Sequence, residues 1–316
     1  MDKFHIKKIS EVNQKKLLQF YQNSFNFEET ILDNYNWRYR KGFSEFEPLV
    51  LIINNQICGH AGLIPVNLKI NNKIKKAIWF TDFYINPEYR SKGYGKNLTE
   101  AWMKICPIQI TLCNNQSLNI FKKLEWSSNN NFTRNVKFYN YFNVIPAFRN
   151  LNDSLYIQDN FENLKLEELS NKTLTKIIDL HENIISKKSI NLVRDENWFK
   201  WRIFDCPYKK DIYIFNSNEN FFIIHIKKRN NLKILNVIYS SHPINKNISK
   251  LFFSFAKKNH IDCLSYISNE KRFSDFFLPW QSKINFAFYT KEKSTSVLLN
   301  SGFDEIQFID SDIDYI

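Results

Sequence analysis

The residues from Thr81 to Lys96, TDFYINPEYRSKGYGK, hold the pattern best able to do chemistry. An apolar, strand-like run ends at Pro87, which removes a backbone donor. Arg90-Ser91-Lys92-Gly93-Tyr94-Gly95 follows, and a helix-forming stretch begins at about Tyr94. Glycines at 93 and 95 let the backbone approach a ligand with no Cβ in the way. A helix starting there presents unpaired N–H groups and the positive end of its dipole. Arg90, Lys92 and Lys96 add side-chain charge. Together these features make a cradle for a pyrophosphate. Two other phosphate-binding designs do not fit. A dinucleotide fingerprint needs three glycines and a parallel sheet, and a P-loop needs Gly-Lys-Ser/Thr.

Several elements must position that loop. Helices are predicted over Asn13–Phe25 and Ile31–Arg40, followed by strands at Pro48–Ile53, Gln56–Lys69 and Ile74–Ile85. Asn54-Asn55 and Asn71-Asn72 join the strands, so they read as an antiparallel meander with tight turns. A helix from Tyr94 to Lys104, a strand from Ile108 to Cys113 and a helix from Ser117 to Leu124 come next. This order describes an α/β sandwich on a mixed sheet. Pro146, Arg149, Asn150 and Asp153 lie between aromatic runs and predict a domain boundary, giving domains at 1–148 and 149–316. Beyond it a similar order returns. Helices end near Lys187 and span Trp198–Phe204, and strands follow at Asp211–Phe215, Phe221–Lys227 and Lys233–Tyr239. A helix at Ile248–Lys258 and a strand at Cys263–Ile267 complete this part. Trp37-Arg38-Tyr39 precedes the first meander and Trp201-Arg202-Ile203 the second, with about ten residues to the next strand in both. The chain therefore reads as two copies of one fold.

Bulk properties narrow the function further. With 316 residues, 43% of them hydrophobic and 16% aromatic, the chain can pack two cores, and a disordered protein is excluded. The longest apolar runs are strand-sized, well short of the ~20 residues of a membrane span. The start, MDKFHIKKIS, lacks the apolar segment of a signal peptide. The five cysteines have no CxxC spacing, so neither a zinc site nor a disulfide framework is predicted, and reduced thiols in a cytoplasm fit best. The net charge of +12 suits an anionic partner, or reflects nothing more than heavy general use of Lys, Asn and Ile. The lysines are spread along the chain rather than gathered in a stripe, which argues against nucleic acid.

The stretch Ile85-Asn86-Pro87-Glu88-Tyr89-Arg90-Ser91-Lys92-Gly93-Tyr94-Gly95 resembles the acyl-CoA signature of the GNAT superfamily of N-acyltransferases. The match holds in residue type and in position after the meander, and the similar region covers about residues 30 to 140. The fold it implies is two tandem GNAT-like mixed-sheet α/β domains. The second is degenerate, because Ser240–Asn247 stands where its loop should be and contains no glycine. The resemblance implies that acyl-CoA is the co-substrate, with no metal, and that the loop Arg90, Ser91, Lys92, Gly93, Tyr94, Gly95 and Lys96 holds its pyrophosphate. It also implies that Phe83, Tyr84 and Ile85 splay from the neighbouring strand to pair with pantetheine and polarise the thioester carbonyl. Asn114 would sit beside the pantetheine arm. The family's proton-donating Tyr is replaced here by Phe121, so the usual general acid is missing.

An amine attacking a thioester needs a free-base nitrogen and a held carbonyl. Asp82, just before the splay, is the first candidate base; it reads equally as a carboxylate pinned by Lys or Arg. His60, in Cys58-Gly59-His60-Ala61-Gly62, is the second, with small neighbours leaving room for a ligand; a satisfied core histidine is the alternative. Tyr84 could assist, and Trp37 and Arg38 could line an acceptor pocket. The second domain would bind acceptor, support the first or make a homodimer. Asp-x-x-Ile-x-Pro-x-x-Arg at the loop and Asp310-x-Asp312 at the end, with Asn114, Ser117 and Trp126, resemble bacterial surface-polysaccharide N-acyltransferases. That resemblance implies a nucleotide-linked amino sugar as acceptor, often dTDP-linked. Other small amines, peptides and protein lysines are the alternatives, as is a module that binds acyl-CoA without turning it over.

Overall fold

The computed structural model describes residues 3–25, 35–41, 46–139, 160–161, 164–167, 169–185, 190–216, 221–229, 232–242, 244, 246–268 and 280–301. The chain divides into two compact units. One comprises Met1–Asn129, Asp205–Pro207 and Phe286–Gly302; the other comprises Asn130–Phe204, Tyr208–Asn285 and Phe303–Ile316. The predicted boundary near 148 lies outside the described residues, while the units part at Asn129.

In the first unit strands β1 (Phe4–Lys8), β2 (Leu49–Ile53), β3 (Gln56–Ile70), β4 (Lys73–Ile85) and β5 (Ile108–Cys113) lie side by side in that order. The first four are mutually antiparallel and β5 runs parallel to β4. The predicted meander is present. Asn54 and Asn55 have φ of 49° and 63°, and Asn71 and Asn72 have 47° and 63°. Two left-handed residues in a two-residue loop match the twist of a hairpin, and Asn accepts that conformation readily. Strand β1 was not predicted. It is five residues long, and its half-buried Phe4 and Ile6 alone carry the apolar signal.

Helix α1 (Gln14–Ser24) is capped by Asn13, whose Oδ1 accepts from the N–H groups of Lys15 and Lys16. Helices α2 (Tyr94–Met103) and α3 (Asn115–Lys123) cover the core, where Phe80 stacks on Trp102 at 4.0 Å and Trp126 meets Trp102 at 5.4 Å. The helix predicted over Ile31–Arg40 is described only from Tyr35. What is seen there is a wide, π-type helical turn at Asn36–Lys41 rather than a regular α-helix.

The second unit contains most of β6 (Ser127–Phe138), then β7 (Asn160–Phe161), β8 (Leu164–Glu167), α4 (Asn171–Ile185), β9 (Ile190–Leu192) and α5 (Glu196–Phe199). Helix α5 runs into a second wide turn, Lys200–Phe204. Strands β10 (Ile212–Asn216), β11 (Phe221–Arg229) and β12 (Leu232–Ser240), helix α6 (Lys246–Lys258) and strand β13 (Cys263–Ser268) follow. Its strands lie in the order β6-β13-β12-β11-β10-β8-β7, with β12 and β13 parallel. The chain ends its described course with β14 (Trp280–Thr290) and α7 (Lys293–Ser301). Ala287 and Tyr289 of β14 pack into the first unit's core, and Lys75 on β4 ties down Glu292 and Thr295 Oγ1.

The predicted repeat has a structural counterpart. Trp37-Arg38 and Trp201-Arg202 both sit in wide turns, each ahead of an antiparallel meander whose third strand pairs in parallel with the next. All five cysteines are free thiols. Among the described residues no helix is long and apolar enough to cross a membrane.

Candidate active site

Two irregularities of β4 create the site. On its β3 side, Gly62 faces Thr81 and His60 faces Tyr84, so Asp82 and Phe83 together oppose the single residue Ala61. This bulge is made by Asp82 at φ 47°, a left-handed conformation costly for a side chain other than glycine. On its β5 side the parallel register covers Ile78 with Gln109 and Trp79 with Ile110. The Thr111 hydroxyl then donates to the Phe80 carbonyl at 2.7 Å, and the two strands continue to Ile85 and Cys113 with no further register pair. The predicted splay region, Phe83-Tyr84-Ile85, lies just past both features.

Asp82 is gripped from two ends. Its Oδ2 accepts from Arg38 at 2.7 Å and from the Tyr39 hydroxyl. Its main-chain oxygen accepts from His60 Nδ1 at 2.8 Å. A carbonyl cannot donate, so Nδ1 carries the imidazole proton and Nε2 accepts from the Tyr21 hydroxyl at 2.7 Å. Burial lowers the His60 pKa to about 4, so the ring is neutral near pH 7 with both nitrogens engaged. Burial alone would push the Asp82 carboxyl up, but the Arg38 guanidinium and the Tyr39 hydrogen bond outweigh it and hold it below its ordinary value. Burial, reinforced by the Asp82 charge, raises Tyr39 well above its ordinary value, so it stays a donor.

The space predicted beside His60 is filled by the protein. A Cβ on Gly62 would collide with the Tyr39 hydroxyl, and one on Gly59 would lie 2.6 Å from Ile85 Cδ1. Tyr21, Tyr39 and Phe25 close on the imidazole at centroid distances of 5.0, 5.8 and 5.9 Å. The small residues make room for these groups rather than for a ligand.

The loop is open to solvent. Ser91 (φ 61°) and Gly93 (φ 86°) are left-handed and Ser91, Lys92 and Gly93 are exposed. Gly93 is the N-cap of α2 with no side chain capping it, and the first bond closing the helix runs from Asn97 N–H to Gly93 O at 3.1 Å. The N–H groups of Tyr94, Gly95 and Lys96 precede that bond, which is the arrangement an anion requires. Arg90 Nε donates to the Ile85 carbonyl at 2.8 Å and its guanidinium lies 5.4 Å from the Tyr84 ring centroid, fastening the loop to the end of β4. Lys92 lies over Tyr89 at 5.6 Å, and Lys96 pairs with Glu100 at 3.6 Å.

The remaining predicted residues divide. Asn114 is exposed and caps α3, its Oδ1 accepting from Ser117 N–H at 2.8 Å. Phe121 is a buried core residue, 4.5 Å from Trp126 and 5.9 Å from Phe80, rather than part of an open groove. Trp37 is buried, and Arg38 points to Asp82. Asp310 and Asp312 lie outside the described residues. Tyr21 and Tyr39 were missed by sequence reasoning. Neighbours such as Arg38 and Tyr39 point apart on a regular helix, and the wide turn lets both reach one oxygen. In the second unit, Ser241 N–H donates to the Phe221 carbonyl and Phe221 N–H to Ser241 Oγ, both at 2.9 Å, so the corresponding turn is tied to β11.

Residues 5–110 match the sequence profile of an acetyltransferase (GNAT) domain family. A search of curated protein sequences gives no match. Among solved structures, Saccharomyces cerevisiae N-myristoyltransferase with bound myristoyl-CoA and inhibitors superposes with TM-score 0.59 at 13% identity, over 92% of this chain and 80% of that one. A GCN5-related N-acetyltransferase from Kribbella flavida gives 0.62 at 10% identity, over 90% and 71%. One from Anabaena variabilis gives 0.58 at 14%, over 90% and 72%. The fold is thus the α/β fold of GNAT proteins. Residues 5–110 thus carry a GNAT acetyltransferase domain.

Proposed function

We propose that the chain moves an acyl group from acyl-CoA to the amine of a nucleotide-linked amino sugar, with a dTDP-linked deoxy sugar the first choice. The observation that carries the acyl-CoA half is the end of the β4–β5 pairing beside an uncapped helix start at Gly93. In this reading the N–H groups of Tyr94, Gly95 and Lys96, with Lys92, receive the pyrophosphate. Pantetheine runs along Phe83–Ile85 toward Asn114. The amine nitrogen bonds to the thioester carbon in a ternary complex, the C–S bond breaks, sulfur leaves with the electron pair, and the ammonium proton passes to water. A carboxylate held below its ordinary pKa is a poor proton acceptor near neutral pH, and His60 has no open nitrogen. The reading therefore rests on orientation, worth up to about 7–11 kcal/mol, rather than on a protein base.

The sugar acceptor is supported by the sequence resemblance carried by Asp82, Ile85, Pro87, Arg90, Asn114, Ser117, Trp126, Asp310 and Asp312. The test is thiol release from acetyl-CoA with a panel of dTDP- and UDP-linked amino sugars. Turnover confined to one or a few of them is expected. Turnover with peptides or simple amines and with no sugar nucleotide would overturn the acceptor while leaving the acyltransferase. A longer acyl donor is a second reading, favoured by the likeness to an N-myristoyltransferase across most of the chain. Including myristoyl-CoA in the panel separates the two.

A further inference from the structure

We propose that Tyr39 and Arg38 are positioning residues: through Asp82 they fix the direction in which the peptide groups of Phe83–Ile85 face the thioester carbonyl. This rests on the acyl-CoA reading above and assigns Asp82 an anchoring role in place of a proton-accepting one.

A two-against-one bulge turns the strand beyond it, so the orientation of every peptide group from Phe83 onward depends on the dihedral angles at Asp82. Those angles lie in the left-handed region, which an aspartate does not hold by preference over an extended strand. Something must hold it there. Arg38 and Tyr39 both bond to Oδ2, and His60, itself fixed by Tyr21, bonds to the carbonyl of the same residue. The side-chain end and the main-chain end of one residue are thus clamped independently. Gly62 completes the device, since any side chain there would displace the Tyr39 hydroxyl. On the far side of Phe83-Tyr84-Ile85, Arg90 Nε clamps the Ile85 carbonyl at 2.8 Å. The segment is held at both ends, and one clamp comes from outside the loop that binds the cofactor's phosphates.

The test reads the carbonyl itself and needs no acceptor. Isotope-edited infrared spectra of [1-13C]acetyl-CoA bound to the full chain report how strongly backbone N–H groups polarise the thioester. The variants are Tyr39→Phe, which removes one bond to Asp82 and keeps the ring, and Asp82→Asn, which keeps an acceptor oxygen and a residue tolerant of positive φ. The expected result is a carbonyl stretch moved to lower frequency in the wild type. That shift should be largely lost in Tyr39→Phe and largely kept in Asp82→Asn, with acetyl-CoA Kd within about threefold in all, because the phosphate loop is intact. Once an acceptor is in hand, Asp82→Asn should keep at least about a tenth of kcat with an unmoved acid limb. Loss of a general base would cost about 10²–10⁴. A wild-type carbonyl frequency in Tyr39→Phe would overturn the proposal, as would a wild type with no shift, or a large kcat loss with a displaced acid limb in Asp82→Asn. If the wild type fails to bind acetyl-CoA at all, the acyltransferase reading itself falls, a distinct outcome.

Discussion

Gly62→Ala is the perturbation that probes the clamp most directly. The new Cβ would overlap the Tyr39 hydroxyl, lie 2.8 Å from the Thr81 carbonyl and 3.1 Å from Thr81 Cγ2. Gly62 is not among the residues with positive φ, so the backbone itself would accept alanine. The cost comes from two sources. Overpacking in a filled core costs about 1–3 kcal/mol. If Tyr39 swings away to relieve it, its hydrogen bond to the Asp82 carboxylate is lost, about 1.5–3 kcal/mol for a charged acceptor. With Tyr39 swung away, about 1 kcal/mol for the remaining Thr81 contact and about 2 for the lost bond give about 3 kcal/mol in the wild-type background. In a Tyr39→Phe background the colliding oxygen and its bond are already gone. Only the Thr81 contact remains, and alanine should then cost about 1 kcal/mol. The assay is urea unfolding of the wild type, both single variants and the double variant, read as a cycle. The expected coupling is about 2 kcal/mol, with the double variant far more stable than the sum of the singles implies. Additivity within about 0.5 kcal/mol would show that Gly62 and Tyr39 do not share this space and would refute a clamp that depends on it.

Three further outcomes follow from other parts of the site. At Gly93 an added Cβ meets nothing within 4 Å, so Gly93→Ala acts only through φ 86°; acetyl-CoA binding by calorimetry should weaken more with Ala than with Asn, which tolerates positive φ, and equal losses would refute a backbone cause. His60 falls from 6.5 to about 4, so its neutral form stabilises the fold fully above pH 6.5. About 3 kcal/mol should be lost as pH falls through 4, and in denaturant titrations His60→Gln should lack that slope. Phe121→Tyr should not raise the rate of thiol release, because the ring packs in the core against Phe80 and Trp126. The buried hydroxyl should instead cost about 1–3 kcal/mol in thermal or urea unfolding, and a tenfold gain in rate would sink that reading.

Much of this was readable from residue types. Both Asn-Asn turns, the meander they join, the strand Ile108–Cys113 and the glycine-flanked start of α2 appear close to where local chemistry puts them. Each is a short-range effect in which a turn residue or a helix start acts within a few positions. What was not readable is long-range. Tyr21 and Asp82 are joined through His60, across a sheet register that no local pattern specifies. Tyr39 was hidden by the assumption of a regular helix, which sends it away from Arg38's target. The same limit explains the glycines beside His60. Their type announced a need for space, and only the packing shows that protein side chains fill it.

The two units separate what the fold requires from what the chemistry requires. Both meanders carry a bulge next to the parallel pair. In the second, Ile223 faces Tyr239 and Ile224 faces Val237, so Ile238 is the extra residue. Ile238 has no positive φ and carries no charge to be clamped. Its wide turn still brings a Trp-Arg pair, and there Arg202 bonds to the Tyr208 hydroxyl. A bulge can therefore form beside a parallel pair without a left-handed aspartate. If the bulge alone were the purpose of Asp82, a β-branched residue would serve, at less conformational cost and with no buried ion pair to satisfy. The first unit instead accepts a left-handed aspartate with its carboxylate taken out of water, and commits Arg38, Tyr39, His60 and Tyr21 to holding it. That left-handed aspartate occurs in the unit whose loop is open at Gly93, and among the described residues the unit whose loop is tied to β11 by Ser241 has none. The coincidence of clamp and open loop in one unit links them to one reaction, with the loop holding the donor's phosphates and the clamp aiming the strand at its carbonyl.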